Sequence, residues 1–241
     1  LDLARSLGAK VHTASPVSGW ETRNGVHHLK TPGGTVRARS VGIATAGYTA
    51  PGMAKLTSHR LMPILSNSVA TRPLTEAERE ACGFRTRMIL TDTRTLRHYY
   101  RLLPDNRLQI GSRSAVTGAD AENPKHLELL LAGLHRKFPA LKGVPLDYSW
   151  WGWVDVSHDM MPRISRPVRG QTIHYAMGYG GNGVMYSAQA GRRMAQLIAD
   201  KPVPDLPIFT GELPHHGILT PFRRLGQRAM YRWYQLRDET L

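Results

Sequence analysis

Four glycines, Gly178, Gly180, Gly181 and Gly183, fall within six positions, between an apolar run at 172–177 and a segment that opens with Ser187, Ala188, Ala190 and Gly191. Glycine lets a backbone approach a ligand closely. The start of a helix offers unpaired N–H groups and a partial positive charge. A strand, this loop and a helix over 187–199 would therefore suit an anionic or electron-rich ligand. The same run also serves a tight turn with close helix–strand packing, and spacing alone leaves both readings open. We read it apart from the dinucleotide-binding fingerprint, because G-x-G-G-x-G is taken as a different spacing from G-x-G-x-x-G and no acidic residue follows a second strand about 20 residues on.

Other reactive groups are sparse. The eleven histidines include the pairs 27/28 and 215/216, and His158 next to Asp159. None has metal-ligand spacing, so no metal is expected. No nucleophile constellation is present. The single cysteine, Cys82, excludes an intrachain disulfide framework and a Cys-rich zinc site, and reads as a small buried or half-buried residue. Tyr99 and Tyr100 alternate on one strand, so only one can face a cavity. Trp151 and Trp153 share a strand face and Trp150 takes the other. Any of these could wall a site by packing or cation–π contact, or simply fill the core. Arg113 is either a carboxylate partner or a surface residue at a strand end.

These residues need a frame. The chain has 241 residues, room for one large domain or two small ones. Its 41% hydrophobic and 21% charged content predicts a buried core. Residues 1–8 read as the last turns of a helix stopped by Gly8. Strands are expected at 9–13, 17–22, 26–31 and 35–44, broken by Asn24-Gly25 and Pro32-Gly33-Gly34, with 41–45 buried. Pro51, Gly52 and Pro63 mark a crossing between domains. Further strands are expected at 65–71, 97–103, 107–112, 146–156 and 172–177. Leu127, Leu130, Leu131 and Leu134 line one stripe of a helix at 125–138 that Pro139 ends.

The net charge of +14 raises the question of nucleic acid. The basic residues are scattered until the end, without the aromatic interleaving of a stacking site, so nucleic acid is not expected. In the last 20 residues Arg223, Arg224, Arg228, Arg232 and Arg237 recur at helical spacing, with Leu225, Met230, Tyr231 and Tyr234 between them. This is either a solvated amphipathic helix docked on the body of the protein or a phosphate or membrane-surface contact. No apolar run reaches the ~18 residues needed to span a bilayer, and the N-terminus shows no signal-peptide pattern. A cytoplasmic protein is expected.

The stretch GYGGNGVMYSAQAGRRMAQLI (178–198) resembles the flavin loop and helix of the D-amino-acid oxidase-like FAD oxidoreductases, whose loop reads G-[FY]-S-G-H-G-[VF]. The resemblance continues in order along the chain. LGAKVHTASPVSGWE (7–21) and VGIATAGYT (41–49) look like the middle of that family's FAD domain. TDTRTLRHYYRLLPDNRLQIGSR (91–113) looks like its substrate-domain strands. WWGWVDVSHDMMPRI (150–164) looks like the segment leading back to the flavin. FRRLGQRAMYRWYQLRD (222–238) is similar to the C-terminal helix of the γ-glutamylputrescine oxidase-like branch.

The resemblance implies a mixed α+β and α/β fold: part of a glutathione-reductase-like Rossmann domain that binds FAD, and an antiparallel-sheet substrate domain with helices on one face. The FAD domain would take 1–50 and 156–241, and the substrate domain 51–155. It also implies a C-terminal portion that begins after the family's G-x-G-x-x-G. Val17 would lie near the adenine. Ala44, Thr45 and Ala46 would line the flavin or the pyrophosphate, with Met161 and Pro162 on the returning segment. The backbone of Gly178, Tyr179, Gly180, Gly181, Asn182, Gly183 and Val184 would face the pyrimidine edge of the flavin, where reduction builds negative charge that amides stabilise. Asn182 and Gly180 replace the usual His and Ser, which a backbone-made site tolerates. Tyr100, Trp151 and Arg113 would face the substrate.

Departures from the family pattern shape the expected chemistry. Val154 stands where one branch has a carboxylate-binding Arg, and Met185 where another has Lys. Both donor groups for a free carboxylate are thus absent, which points to an amine or a larger amino compound. Val156 lies near the flavin-attaching Cys of the sarcosine oxidase branch, so FAD would be non-covalent. Gln109 replaces the Lys that promotes reaction with oxygen there, leaving oxygen or an electron carrier as acceptor. The implied reaction is hydride transfer from the carbon of a C–N bond to flavin. The alternatives are a dehydrogenase that reduces a carrier, or a basic flavin-fold remnant without catalysis.

Overall fold

Turn residues divide the first quarter of the chain into short strands. The computed structural model describes residues 1–49, 57, 59–168, 170–215, 217 and 220–239. The crossing expected at Pro51 and Gly52 lies outside these residues. Helix α1 (Asp2–Ser6) buries none of its side chains. Residues 9–13 are exposed coil, not the expected strand. A strand there would need a partner for its peptide groups, and none pairs with it among the described residues. Strands β1 (Gly19–Arg23), β2 (Val26–Thr31) and β3 (Gly34–Ala38) follow. Asn24 and Gly25 both have positive φ, +49° and +75°, the tight hairpin turn that Asn-Gly favours. The expected strand 35–44 breaks at Arg39-Ser40, leaving β4 (Val41–Ile43) as a separate buried strand.

The middle of the chain carries β5 (Ile64–Pro73), α2 (Glu76–Ala81), β6 (Leu90–Thr91), β7 (Tyr99–Leu102), β8 (Arg107–Ser112), α3 (Gly118–Ala121), α4 (Pro124–Lys137) and β9 (Leu146–Val154). Helix α2 was legible but not expected. Thr75 Oγ1 accepts from Glu78 N, and the Glu78 side chain accepts from Thr75 N, a reciprocal cap. Last come β10 (Arg163–Ser165), β11 (Ile173–Met177), α5 (Gly183–Ile198), α6 (Pro207–Thr210) and α7 (Arg223–Glu239). Helix α5 begins one turn before the expected start at Ser187, so Gly183 and Val184 belong to its first turn.

These elements form two compact units. Unit 1 is 1–61 with 157–214, and unit 2 is 62–156 with 215–241. The expected flavin-domain segment 156–241 is therefore divided: α7 packs within unit 2. In unit 1 a small sheet of order β10-β11-β4 is covered on both faces. Ile173, Tyr175 and Met177 point toward Trp20 and Leu29 of the β1-β2-β3 sheet, and Ala176 points toward Ala190, Tyr186, Met194 and Leu197 of α5. All five residues of β11 are buried, which accounts for a run of unbroken apolarity around a single histidine.

Unit 2 is built on an antiparallel sheet of order β6-β7-β8-β5-β9. Strand register sorts its two faces. Tyr100 opposes Ile110, which opposes Val69, and this face packs on Leu130 and Leu134 of α4. Each such buried leucine contributes about 1.5–3 kcal/mol. The other face carries Ser66, Ser68, Tyr99, Gly111 and Trp150, aligned across the strands.

Candidate functional site

The glycine run follows β11, a strand parallel to β4, and Tyr175 pairs with Ile43. Gly178 and Ala44 therefore leave the carboxyl ends of adjacent parallel strands, where ligands of open α/β sheets bind. Antiparallel β10 enters beside them, with Arg163 opposite Met177, so Met161 and Pro162 reach the same end. The structure thus gathers three of the four expected cofactor-binding groups: Ala44–Ala46, Met161–Pro162 and Gly178–Val184. Val17 lies half-buried in coil ahead of β1.

The backbone of the loop requires its glycines. Gly178, Gly180 and Gly181 have φ of +85°, +61° and +101°. A Cβ on Gly178 would come within 3.1 Å of Leu213 and 3.2 Å of Ser157, and one on Gly180 within 3.2 Å of the Met160 carbonyl oxygen. One side of the loop is therefore packed. The other is open: Val184 is 94% and Met185 86% exposed. Asn182 caps α5 without a side-chain hydrogen bond. The first intrahelical bond runs from Tyr186 N–H to Asn182 O, so the amides of Gly183, Val184 and Met185 precede it. Ala46 nearby has φ +49°, and Thr45 Oγ1 lies 2.6 Å from Thr49 Oγ1.

A charged bracket that the sequence reading missed fixes the packed side. Arg163, nearly buried, donates to Asp159 Oδ2 at 2.6 Å and to the Met161 and Pro162 carbonyls at 3.1 and 3.2 Å. Met161 N donates to Asp159 Oδ1 at 3.1 Å. Ser157 Oγ lies 2.8 Å from Met161 O and 3.4 Å from Gly178 O. Burial works to raise the Asp159 carboxyl, but Arg163, the Met161 amide and Ser157 outweigh it and hold it below the usual carboxylate range. Asp159 and Arg163 stand four apart in a segment with no helical pattern, so spacing gave no cue to their pairing.

Gly178, Gly180 and Gly183 keep the interval of the dinucleotide fingerprint, so spacing does not separate the two motifs. Topology does. Helix α5 is followed by α6, not by a second parallel strand among the described residues, so no βαβ unit surrounds the loop. Positive-φ glycines, an uncapped helix start and an uncovered rim fit a flat, electron-accepting ring held by its edge. Gly178 to Met185 would hold that edge, and Ala44–Ala46 would lie beside it.

The unit 2 candidates are placed differently. Tyr100 lies on the helix-covered face, edge-on to Phe138 with Lys137 over its ring. Its role is packing, and the strand alternation assigns the other face to Tyr99. The Tyr99 hydroxyl bonds Ser66 and lies 3.2 Å from Ser68 Oγ. Trp151 also lies on the covered face, edge-on to Trp153 at 6.3 Å, against Leu65, Ala115 and Ala121. Trp150 is 44% exposed on the opposite face. Arg113 lines a cleft with Leu129 and Arg136 of α4 and Gln235 of α7. Gln109 accepts from Arg101 Nε at 3.1 Å. No group of three or more metal-ligating side chains occurs among the described residues, and no described helix is long and apolar enough to cross a membrane.

A mixed α+β fold with a glycine loop at the carboxyl ends of parallel strands defines a flavoprotein-like architecture. The profile of the family described as "DAO: FAD dependent oxidoreductase" matches residues 1–197, and the chain belongs to that FAD-dependent family. It is 32% identical over 247 residues to the gamma-glutamylputrescine oxidoreductase of Escherichia coli, covering 98% of this chain and 54% of that protein. It is 31% identical over 197 residues to the probable oxidoreductase OrdL of Haemophilus influenzae, covering 80% of this chain and 43% of that protein. The chain spans about half the length of these curated relatives. The glycine oxidase structure from Geobacillus kaustophilus shares the fold, with a TM-score of 0.68 at 22% identity over 88% of this chain and 55% of that one.

Proposed function

We propose that the protein oxidises a C–N bond of an amine or a larger amino compound to the imine, with FAD held non-covalently as the acceptor. The carbon gives up a hydride, the nitrogen a proton, and water then splits the imine into a carbonyl compound and an amine or ammonia. Bound FAD supplies the two-electron acceptor. The amides at the start of α5 would stabilise the negative charge that reduction brings to the ring edge. The Ser157–Asp159–Arg163 bracket holds the loop in the bend that aims those amides. Within unit 2, the face of Tyr99, Ser66, Ser68 and Trp150 carries hydroxyls and aromatic rings, groups that suit an amine. Neither Val154 nor Met185 can bind a carboxylate, which favours amines over glycine-like substrates.

The observation that carries this reading is the uncapped, exposed start of α5 beside the parallel strands. The test is anaerobic mixing of the FAD-reconstituted protein with a panel of amines and amino acids. Bleaching of the flavin absorbance by amines is expected. A flavin that dithionite bleaches but no amine does would overturn the proposal. Readmitting air then separates acceptors. Neutral Gln109 in the lysine position favours an electron carrier over oxygen, and rapid return of the oxidised spectrum in air would oppose that second reading.

A further inference from the structure

Helix α7 docks the wrong way round for a helix of a water-soluble body. An amphipathic helix normally buries its apolar stripe and solvates its polar one. Here the polar side is the docked side. Gln227 and Asp238 are buried. Asp238 accepts from the amides of Thr95 and Leu96 at 3.2 and 2.9 Å. Arg224 donates to Pro63 O at 2.7 Å and lies over the Trp153 ring. Gln227 donates to the Tyr231 hydroxyl at 3.0 Å. The apolar side faces outward: Leu225, Trp233 and Leu236 are 67%, 64% and 64% exposed. At 3.6 residues per turn these three and Ala229 fall within an arc of about 80°. Phe222, exposed in the turn just before, extends the stripe.

Arginines border this stripe. Arg228 and Arg232, both exposed, lie along one edge, and Arg237 along the other. Among the described residues, neither Arg228 nor Arg232 pairs with a carboxylate. A second copy placed face to face on the stripe would bring these arginines against their own kind. A surface that is apolar below and anionic above satisfies both features: leucine and tryptophan enter the acyl boundary while the guanidinium groups reach lipid phosphates. The net charge of +14 acts in the same direction.

We propose that the outward stripe of α7 is a docking surface for an anionic lipid bilayer, with the helix lying in the plane of the interface. The test is flotation of the FAD-loaded protein with phosphatidylcholine vesicles and with phosphatidylcholine vesicles carrying about one third phosphatidylglycerol. Several-fold greater recovery with the anionic vesicles is expected, falling as salt is raised. Trp233→Gln with Leu236→Gln should lower recovery at least tenfold, while circular dichroism and flavin content stay unchanged. Arg228→Gln with Arg232→Gln should abolish the preference for anionic vesicles. Failure to float with either vesicle type would overturn the proposal, as would equal flotation of the Trp233/Leu236 variant. A concentration-dependent dimer that this variant dissociates, or strong protection of Trp233 from acrylamide quenching in lipid-free monomer, would assign the stripe to protein instead.

Discussion

Alanine in place of Gly180 separates a site made by backbone from one made by side chains. Gly180 has φ +61°, and the new Cβ would stand 3.2 Å from the Met160 carbonyl oxygen. Left-handed backbone costs an L-residue about 1–2 kcal/mol. Crowding a backbone oxygen adds about 1 kcal/mol, and Met160, already at φ +62°, has little freedom to yield. In flavin-free protein the loop would relax to escape this strain, so FAD binding would have to restore the bend. That withdraws about 2–3 kcal/mol from affinity, roughly 30- to 150-fold in Kd. Flavin fluorescence quenching measures the Kd, and urea midpoints show whether the variant is folded. Met185→Ala is the control: its side chain is 86% exposed, so stability should stay within about 0.5 kcal/mol. A folded Gly180→Ala protein that binds FAD as tightly as the parent would refute the role given to the loop amides.

Three further outcomes are expected. In Gly111→Ala the added carbon would meet the Tyr99 ring at 2.3 Å, so urea unfolding should show a loss of about 1–3 kcal/mol, and adding Tyr99→Ala should recover part of it. Asp159→Asn strips the charge from a partner of nearly buried Arg163 and should cost on the order of 2 kcal/mol. The folded pKa of Asp159 lies below its unfolded value near 3.9, so the deficit of this variant should be full above about pH 4 and close as pH falls through the folded value. His27, His98 and His174 are buried, and burial lowers the pKa of each. Unfolded histidine takes up a proton near pH 6.5, so stability should fall as pH drops from about 7.5 toward 5.5, by up to about 1.4 kcal/mol per pH unit per histidine. Urea midpoints unchanged across that range would contradict this assignment.

The glycine loop was legible because its requirement is local: positive φ and close approach leave only glycine. The leucine stripe of α4 and the Asn24-Gly25 hairpin were legible for the same reason. The choice between Tyr99 and Tyr100 was not. Alternation says that two neighbours face opposite ways, but which way is set by the register of β7 on β8 and by where α4 lands, and both are long-range. The surroundings of Trp151 are set in the same way, since the register of β9 on β5 places it beside Trp153 and on the rim of a cleft with Asn67 and Trp150. The strand expected at 9–13 had the right residue types and no partner among the described residues. The docking of α7 was hidden because helical spacing reveals a stripe, not which side meets the protein. The bracket of Asp159 and Arg163 is joined through loop geometry, which periodicity does not encode.

The path of the chain bears on how the protein is made. It passes from one unit to the other at 61/62, 156/157 and 214/215, so neither unit is a continuous stretch of sequence. On the ribosome, the five-stranded sheet is synthesised long before α7, which caps part of it through Arg224 and Asp238. A stop codon ahead of Arg224 therefore reaches back to Trp153 and Leu96, and the shortened chain should hold a half-finished second unit prone to chaperone capture and degradation.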